Sequence, residues 1–242
     1  MIKFFRHIRK SLIQENKMGK YFKYAIGEIL LVVIGILIAL QINNWNEDKK
    51  TKFQAQNYRK TIVNDLVLDT VSINTLIKNV KFYKKNITGY FSYIDSLNPS
   101  SSNLHKLSDS LSNITFFYMK YFPVNNSYKQ MSTSGNRDLL TKKQRDFLQD
   151  LLSEQEEIAI ITESQLQIAV KNKDKSDELS GIPYNFYEKL NETLPKERQI
   201  QSLIHINLWL KAVEYLYGYL EARGEKIKKM IKDNIDLFIT NQ

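Results

Sequence analysis

Residues 25–42 read Ala25-Ile26-Gly27-Glu28-Ile29-Leu30-Leu31-Val32-Val33-Ile34-Gly35-Ile36-Leu37-Ile38-Ala39-Leu40-Gln41-Ile42, an apolar run with one charge, Glu28, a turn inside its start. As a helix, eighteen residues cover close to the ~30 Å of a bilayer's hydrocarbon core. Tyr24 and Trp45 flank the run at the depth of an aromatic belt, which makes them the expected membrane-interface anchors. The spacing therefore predicts one transmembrane helix over 25–45. It follows a basic leader, 1–24, and precedes a helical domain, 46–242. The run is longer than the apolar core of a cleaved signal peptide, and no small-residue cleavage site follows it, so an uncleaved signal anchor is expected.

Charge orients that anchor. Residues 1–24 hold Lys3, Arg6, Arg9, Lys10, Lys17, Lys20 and Lys23 against Glu15, a local +6 of the chain's +9. Cations beside a spanning helix keep their side cytoplasmic, and Lys49, Lys50, Lys52, Arg59 and Lys60 oppose them only in part. The expectation is a single-pass membrane protein with a cytoplasmic N-terminus and its helical domain on the far side of the membrane. Phe5, Ile8 and Leu12 fall at helical spacing between cations, so the leader is expected to lie on anionic lipid as an amphipathic helix. A positive excess placed at the membrane, and not in the folded domain, argues against nucleic acid as a partner.

Beyond the anchor the apolar period is helical throughout. Ile62, Leu66, Asp69, Ile73, Leu76, Val80, Tyr83, Ile87, Tyr90, Ile94 and Leu97 alternate by three and four, a seam broken only by Asp69. No Pro or Gly interrupts Ile36 to Ile87, so this helix can continue from the anchor, and Asn98-Pro99-Ser100 ends it. A second seam runs Leu203, Ile206, Leu210, Val213, Tyr217, Leu220, Gly224, Ile227, Ile231, Asn234 and Phe238, opened by Thr193 or Pro195. Thr141 and Gln144 have capping-box spacing ahead of a third helix, with Phe147, Leu151, Ile158, Ile161 and Ile168 on one face. Ser127 to Gln130 repeats that spacing at a shorter helix ended by Ser134-Gly135-Asn136. The charged stretch 171–178, before Gly181 and Pro183, reads as an exposed loop. The fold class is all-α: an antiparallel, coiled-coil-patterned bundle in which the two long helices share one core, behind a single-pass membrane helix.

Catalytic chemistry finds no foothold. The chain has no cysteine and three histidines, His7, His105 and His205, none at metal-ligand spacing. Glu154-Gln155-Glu156-Glu157 reads as a solvated helix face, and the aromatic stretch 116–122 reads as bundle core. No catalytic residue, metal or cofactor is expected. Gly35 and Ala39 form a small-xxx-small pair that permits close helix approach in the membrane, and Glu28 is placed to snorkel or to pair with a partner helix.

The segments 1–6, 15–17, 24–29 and 33–46, with the Ser134-Gly135-Asn136 turn before Leu139-Leu140, resemble DUF6090, an uncharacterised family of small single-pass membrane proteins from Bacteroidota. The resemblance implies an inner-membrane protein with a periplasmic helical domain, and it brings no activity with it. The expected function is a membrane-anchored envelope interaction or sensing module, coupled through its span to a protein partner. A self-associating structural stalk is the alternative.

Overall fold

A computed structural model describes residues 18–96, 104–111, 113–181 and 194–239. The described residues are helical apart from turns and one extended segment, and none is in a β-strand. Helix α1 spans Met18–Ser96 and α2 spans Leu104–Leu111. They are followed by α3, Asn126–Thr133, and a 3-10 turn, Arg137–Leu139. Helices α4, Lys142–Ser180, and α5, Lys196–Asn234, are the other long elements, and a short α6, Asp236–Ile239, ends the described chain. The chain divides into two compact units, Met1–Gln56 and Asn57–Gln242, and α1 contributes to both.

α1 is 79 residues long, so the apolar run and the first seam lie on one continuous helix. The uninterrupted stretch without Gly or Pro allows this, because every backbone donor past the first turn finds its i−4 carbonyl. The amphipathic leader predicted over Phe5, Ile8 and Leu12 lies outside the described residues, as do His7, Leu97 and the Asn98–Pro99 break.

In the second unit the two predicted seams form one core. Ile62, Leu66, Ile73, Leu76, Val80, Ile87 and Tyr90 of α1 are buried, as are Leu203, Ile206, Leu210, Val213, Leu220 and Ile227 of α5. The cross-links fix the direction: Lys84 Nζ lies 3.3 Å from Glu221, Thr88 donates to Glu214 at 2.5 Å, and Tyr90 donates to Asn207 at 2.8 Å. As the α1 number rises the α5 number falls, so the helices are antiparallel. α4 is also antiparallel to α5. Gln144 Nε2 donates to the Leu237 carbonyl at 2.7 Å, Arg223 meets Glu154 at 2.9 Å, and Ser176 meets Ser202 at 2.8 Å. α1 and α4 consequently run parallel, and the chain between them must travel back along the bundle. The extended segment 114–125, here called the strap, makes that return.

Local signals explain several boundaries and correct others. Thr141 caps α4 through a complete capping box: its hydroxyl accepts the Gln144 N–H, and the Gln144 side chain accepts the Thr141 N–H. Gly181, at φ +73°, ends α4 in a left-handed conformation that glycine adopts without a Cβ penalty. The expected loop at 171–178 is instead the last part of α4. Its charges pair along the helix, Lys173 with Asp177 and Lys175 with Glu178, while Ser176 is buried against α5. The α4 face also turns differently from expectation: after Ile158 it continues through Thr162, Leu166 and Ala169, leaving Ile168 45% exposed. Ser127 does not cap α3. Its N–H is accepted by Asp65 of α1 at 2.7 Å, so a carboxylate from another helix serves the positive end of the α3 dipole. Pro195 stands at the N-cap of α5, one position before the first-turn place where proline is favoured.

Candidate functional site

Two places concentrate chemistry: the apolar stretch of α1 and a buried polar node where the strap crosses the bundle. Along the first, each large apolar side chain from Ile26 to Ile42 is exposed, from 46% at Ile34 to 64% at Ile29. Exposure all round the helix over that length is unsuited to water, because each such side chain favours an apolar environment by about 1.5–3 kcal/mol. By length and composition this helix is a candidate membrane span. Tyr24 and Trp45 are both exposed at its ends, and Lys49 Nζ stands 5.6 Å from the Trp45 ring centroid. Gly35 and Ala39 are exposed on the helix surface, with space beside Gly35, and Glu28 is half-exposed.

The second place is centred on Asp69, the polar interruption of the first seam. Asp69 is fully buried. Its Oδ2 accepts the Tyr121 hydroxyl at 2.6 Å and Gln155 Nε2 at 3.1 Å, and its Oδ1 accepts the Val124 N–H at 2.9 Å. Gln155 also accepts from Asn125 Nδ2 at 2.6 Å. One carboxylate thus joins α1, α4 and two points of the strap. Gln155, expected on a solvated face, is buried, and its neighbour Glu154 pairs with Arg223 and Lys226 of α5. Burial pushes the Asp69 carboxyl above its ordinary range, against the pull of its three donors, and the charge of Asp65 adds to the rise. Burial likewise raises the Tyr121 hydroxyl, which the adjacent Asp69 reinforces, so Tyr121 stays protonated and donates.

The strap's backbone meets helix backbone at its ends, where the Ile114 N–H donates to the Leu111 carbonyl of α2 and the Asn125 carbonyl accepts from Lys129 of α3, and between them side chains serve it. Tyr217 of α5 accepts the Phe117 N–H at 3.2 Å and donates to the Phe117 carbonyl at 2.5 Å. Trp209 Nε1 donates to the Tyr118 hydroxyl at 2.8 Å, and its ring meets Phe116 edge-on at 5.3 Å. Lys120 pairs with Glu163 of α4 at 3.1 Å. The aromatic stretch is therefore only partly core: Tyr121 is buried while Phe117 and Phe122 are exposed. A groove open to solvent runs between the strap and α4, with Tyr118, Lys120, Leu166 and Asp174 among its walls.

His205 contributes its Nδ1 to a 3.1 Å contact with Asn172 and lies between α4 and α5 as a packed residue. Among the described residues no group of three or more His, Cys, Asp or Glu is placed to hold a metal.

No curated protein and no solved structure matches the chain. A family model described as a family of unknown function, DUF6090, matches residues 28–208, from Glu28 in the apolar run to Leu208 in the first third of α5. That match takes in most of the apolar run, the strap, the buried node and most of the bundle, and the chain belongs to the DUF6090 family.

Proposed function

We propose that this chain is a membrane-anchored module of the bacterial cell envelope that binds a partner or ligand and couples to a partner through its span. The observation that carries the reading is the Ala25–Ile42 stretch, apolar and exposed all round its helix, on the same helix that supplies a wall of the bundle. The span crosses the inner membrane with residues 1–24 in the cytoplasm, where seven cations meet anionic lipid, and with 46–242 in the periplasm. Gly35 and Ala39 give a partner helix a close approach, and Glu28 offers it a polar contact.

Topology tests this directly, because the chain has no cysteine of its own. Gln149 is exposed on α4, so a Gln149→Cys chain should react with a membrane-impermeant thiol reagent in cells whose outer membrane has been made permeable. Reaction only after the inner membrane is broken would reverse the orientation and remove the periplasmic reading.

The structural-stalk reading has its own support in α1, where Val67, Leu68, Val71 and Phe82 are exposed outside the shared core. Light scattering on the full chain in detergent separates the two. A defined dimer or trimer supports the stalk, and a monomer that captures a different protein from native membranes supports the module.

A further inference from the structure

The buried node has a property that neither the family nor the membrane reading supplies. We propose that docking of the 114–125 strap on the bundle takes up one proton at Asp69, so that the strap is a proton-linked latch.

The geometry requires the carboxyl to change environment when the strap moves. Asp69 lies on α1, whereas Tyr121 and Val124, two of its three donors, belong to the strap. With the strap in place Asp69 has no exposed surface, and lifting the strap hydrates it. Among the described residues, the titratable groups that act on Asp69 are Asp65, one turn earlier on α1, and Tyr121 of the strap. α4 presents the neutral Gln155 amide, and no titratable group of α5 acts on it. None of the described residues brings a cation there to hold the charged form, while dehydration and the Asp65 carboxylate both favour the neutral one.

Each donor of the neutral form can also find an acceptor without a backbone shift, with the loss of the 3.2 Å bond that Gln155 Nε2 donates to the Tyr121 hydroxyl. Gln155 donates Nε2 to Asp69 Oδ2 and accepts from Asn125 with Oε1. If both amides turn over, Gln155 Oε1 accepts the new Asp69 Oδ2–H, and Gln155 Nε2 donates to Asn125 Oδ1. Tyr121 still donates to Oδ2 and Val124 to Oδ1. The balance is one proton taken from solvent on docking and returned on release, with no bond between heavy atoms made or broken.

A group whose pKa is higher docked than undocked favours docking below its undocked value, near 3.8 for Asp, and loses that contribution as pH rises through the docked value. Hydrogen exchange read by mass spectrometry on the full chain in detergent tests this, because it detects rare opening of a segment. After correction for intrinsic exchange, protection of 114–125 should fall as pH rises across the window above about 4, by up to tenfold per pH unit. Protection of the α5 seam should not follow it. Asp69→Asn, which resembles the protonated side chain, should hold the strap with no such slope. Asp65→Asn should keep the slope and move its window to lower pH. If wild-type protection of the strap is flat or rises with pH, or if Asp69→Asn and wild type share one slope, the latch is wrong.

Discussion

A Cβ at Gly224 of α5 would stand 3.1 Å from Ile77 Cγ1 of α1. α1 and α5 therefore approach closely where α5 has no side chain, and Ile77 fills the space that Gly224 leaves. Gly224 interrupts the apolar side chains of the second seam, yet it is a packing position. Replacing it with Leu should cost about 1–3 kcal/mol by overpacking. Ile77→Ala in the same chain should recover part of that loss, seen as a coupling energy in a double-mutant urea-melt cycle. Strictly additive costs would mean that the helices do not touch there.

The shared core makes a second prediction. Ile73 and Val213 are both buried, one on each helix. Ile73→Ala should cost about 2–5 kcal/mol, and Val213→Ala somewhat less because fewer methyl groups are lost. Urea melts that place both variants within error of wild type would leave the helices as separate arms.

Asp69→Leu removes the acceptor from Tyr121, Gln155 and the Val124 N–H at once. An apolar residue in an apolar seam would ordinarily stabilise. Here it strands two donors, the Tyr121 hydroxyl and the Val124 N–H, each worth about 1–3 kcal/mol when unsatisfied, while Gln155 Nε2 keeps the Tyr121 oxygen at 3.2 Å. The variant should therefore be less stable than wild type, and less stable than Asp69→Asn, by chemical denaturation.

Tyr217→Phe keeps the ring in the core and deletes only the hydroxyl that serves both backbone groups of Phe117. It should destabilise by about 1–3 kcal/mol, with the loss of hydrogen-exchange protection concentrated in the strap. A uniform loss across the bundle would show that Tyr217 acts only as filler.

The parts legible in the sequence were those with a period. Ile62 to Tyr90 and Leu203 to Ile231 declare their buried faces by spacing alone, and Thr141 with Gln144 declares a cap by chemistry within one turn. What stayed hidden depends on residues distant in sequence. Asp69 interrupts a seam, and only the return of Tyr121 and Val124 makes it an acceptor site. The charge-rich 171–178 resembled a loop because Lys173–Asp177 and Lys175–Glu178 pairing along a helix has the same composition as a solvated turn. Asp65 capping α3 could not be read from the Ser127 segment, since the carboxylate comes from another helix. The signal for the node was the acid itself: a lone carboxylate in an apolar stripe must find donors or lose its charge.

If Ala25–Ile42 holds this protein in a lipid bilayer, membranes from cells expressing the full chain should keep it through a wash in alkaline carbonate. The wild-type chain should stay with the membrane pellet through carbonate and be released by detergent. A Val33→Asp, Leu37→Asp chain, with two charges near the bilayer centre at about 2.5–3.5 kcal/mol each, should be lost from the pellet. Release of the wild-type chain by carbonate alone would contradict the account, and the exposed apolar stretch would then be covered by protein.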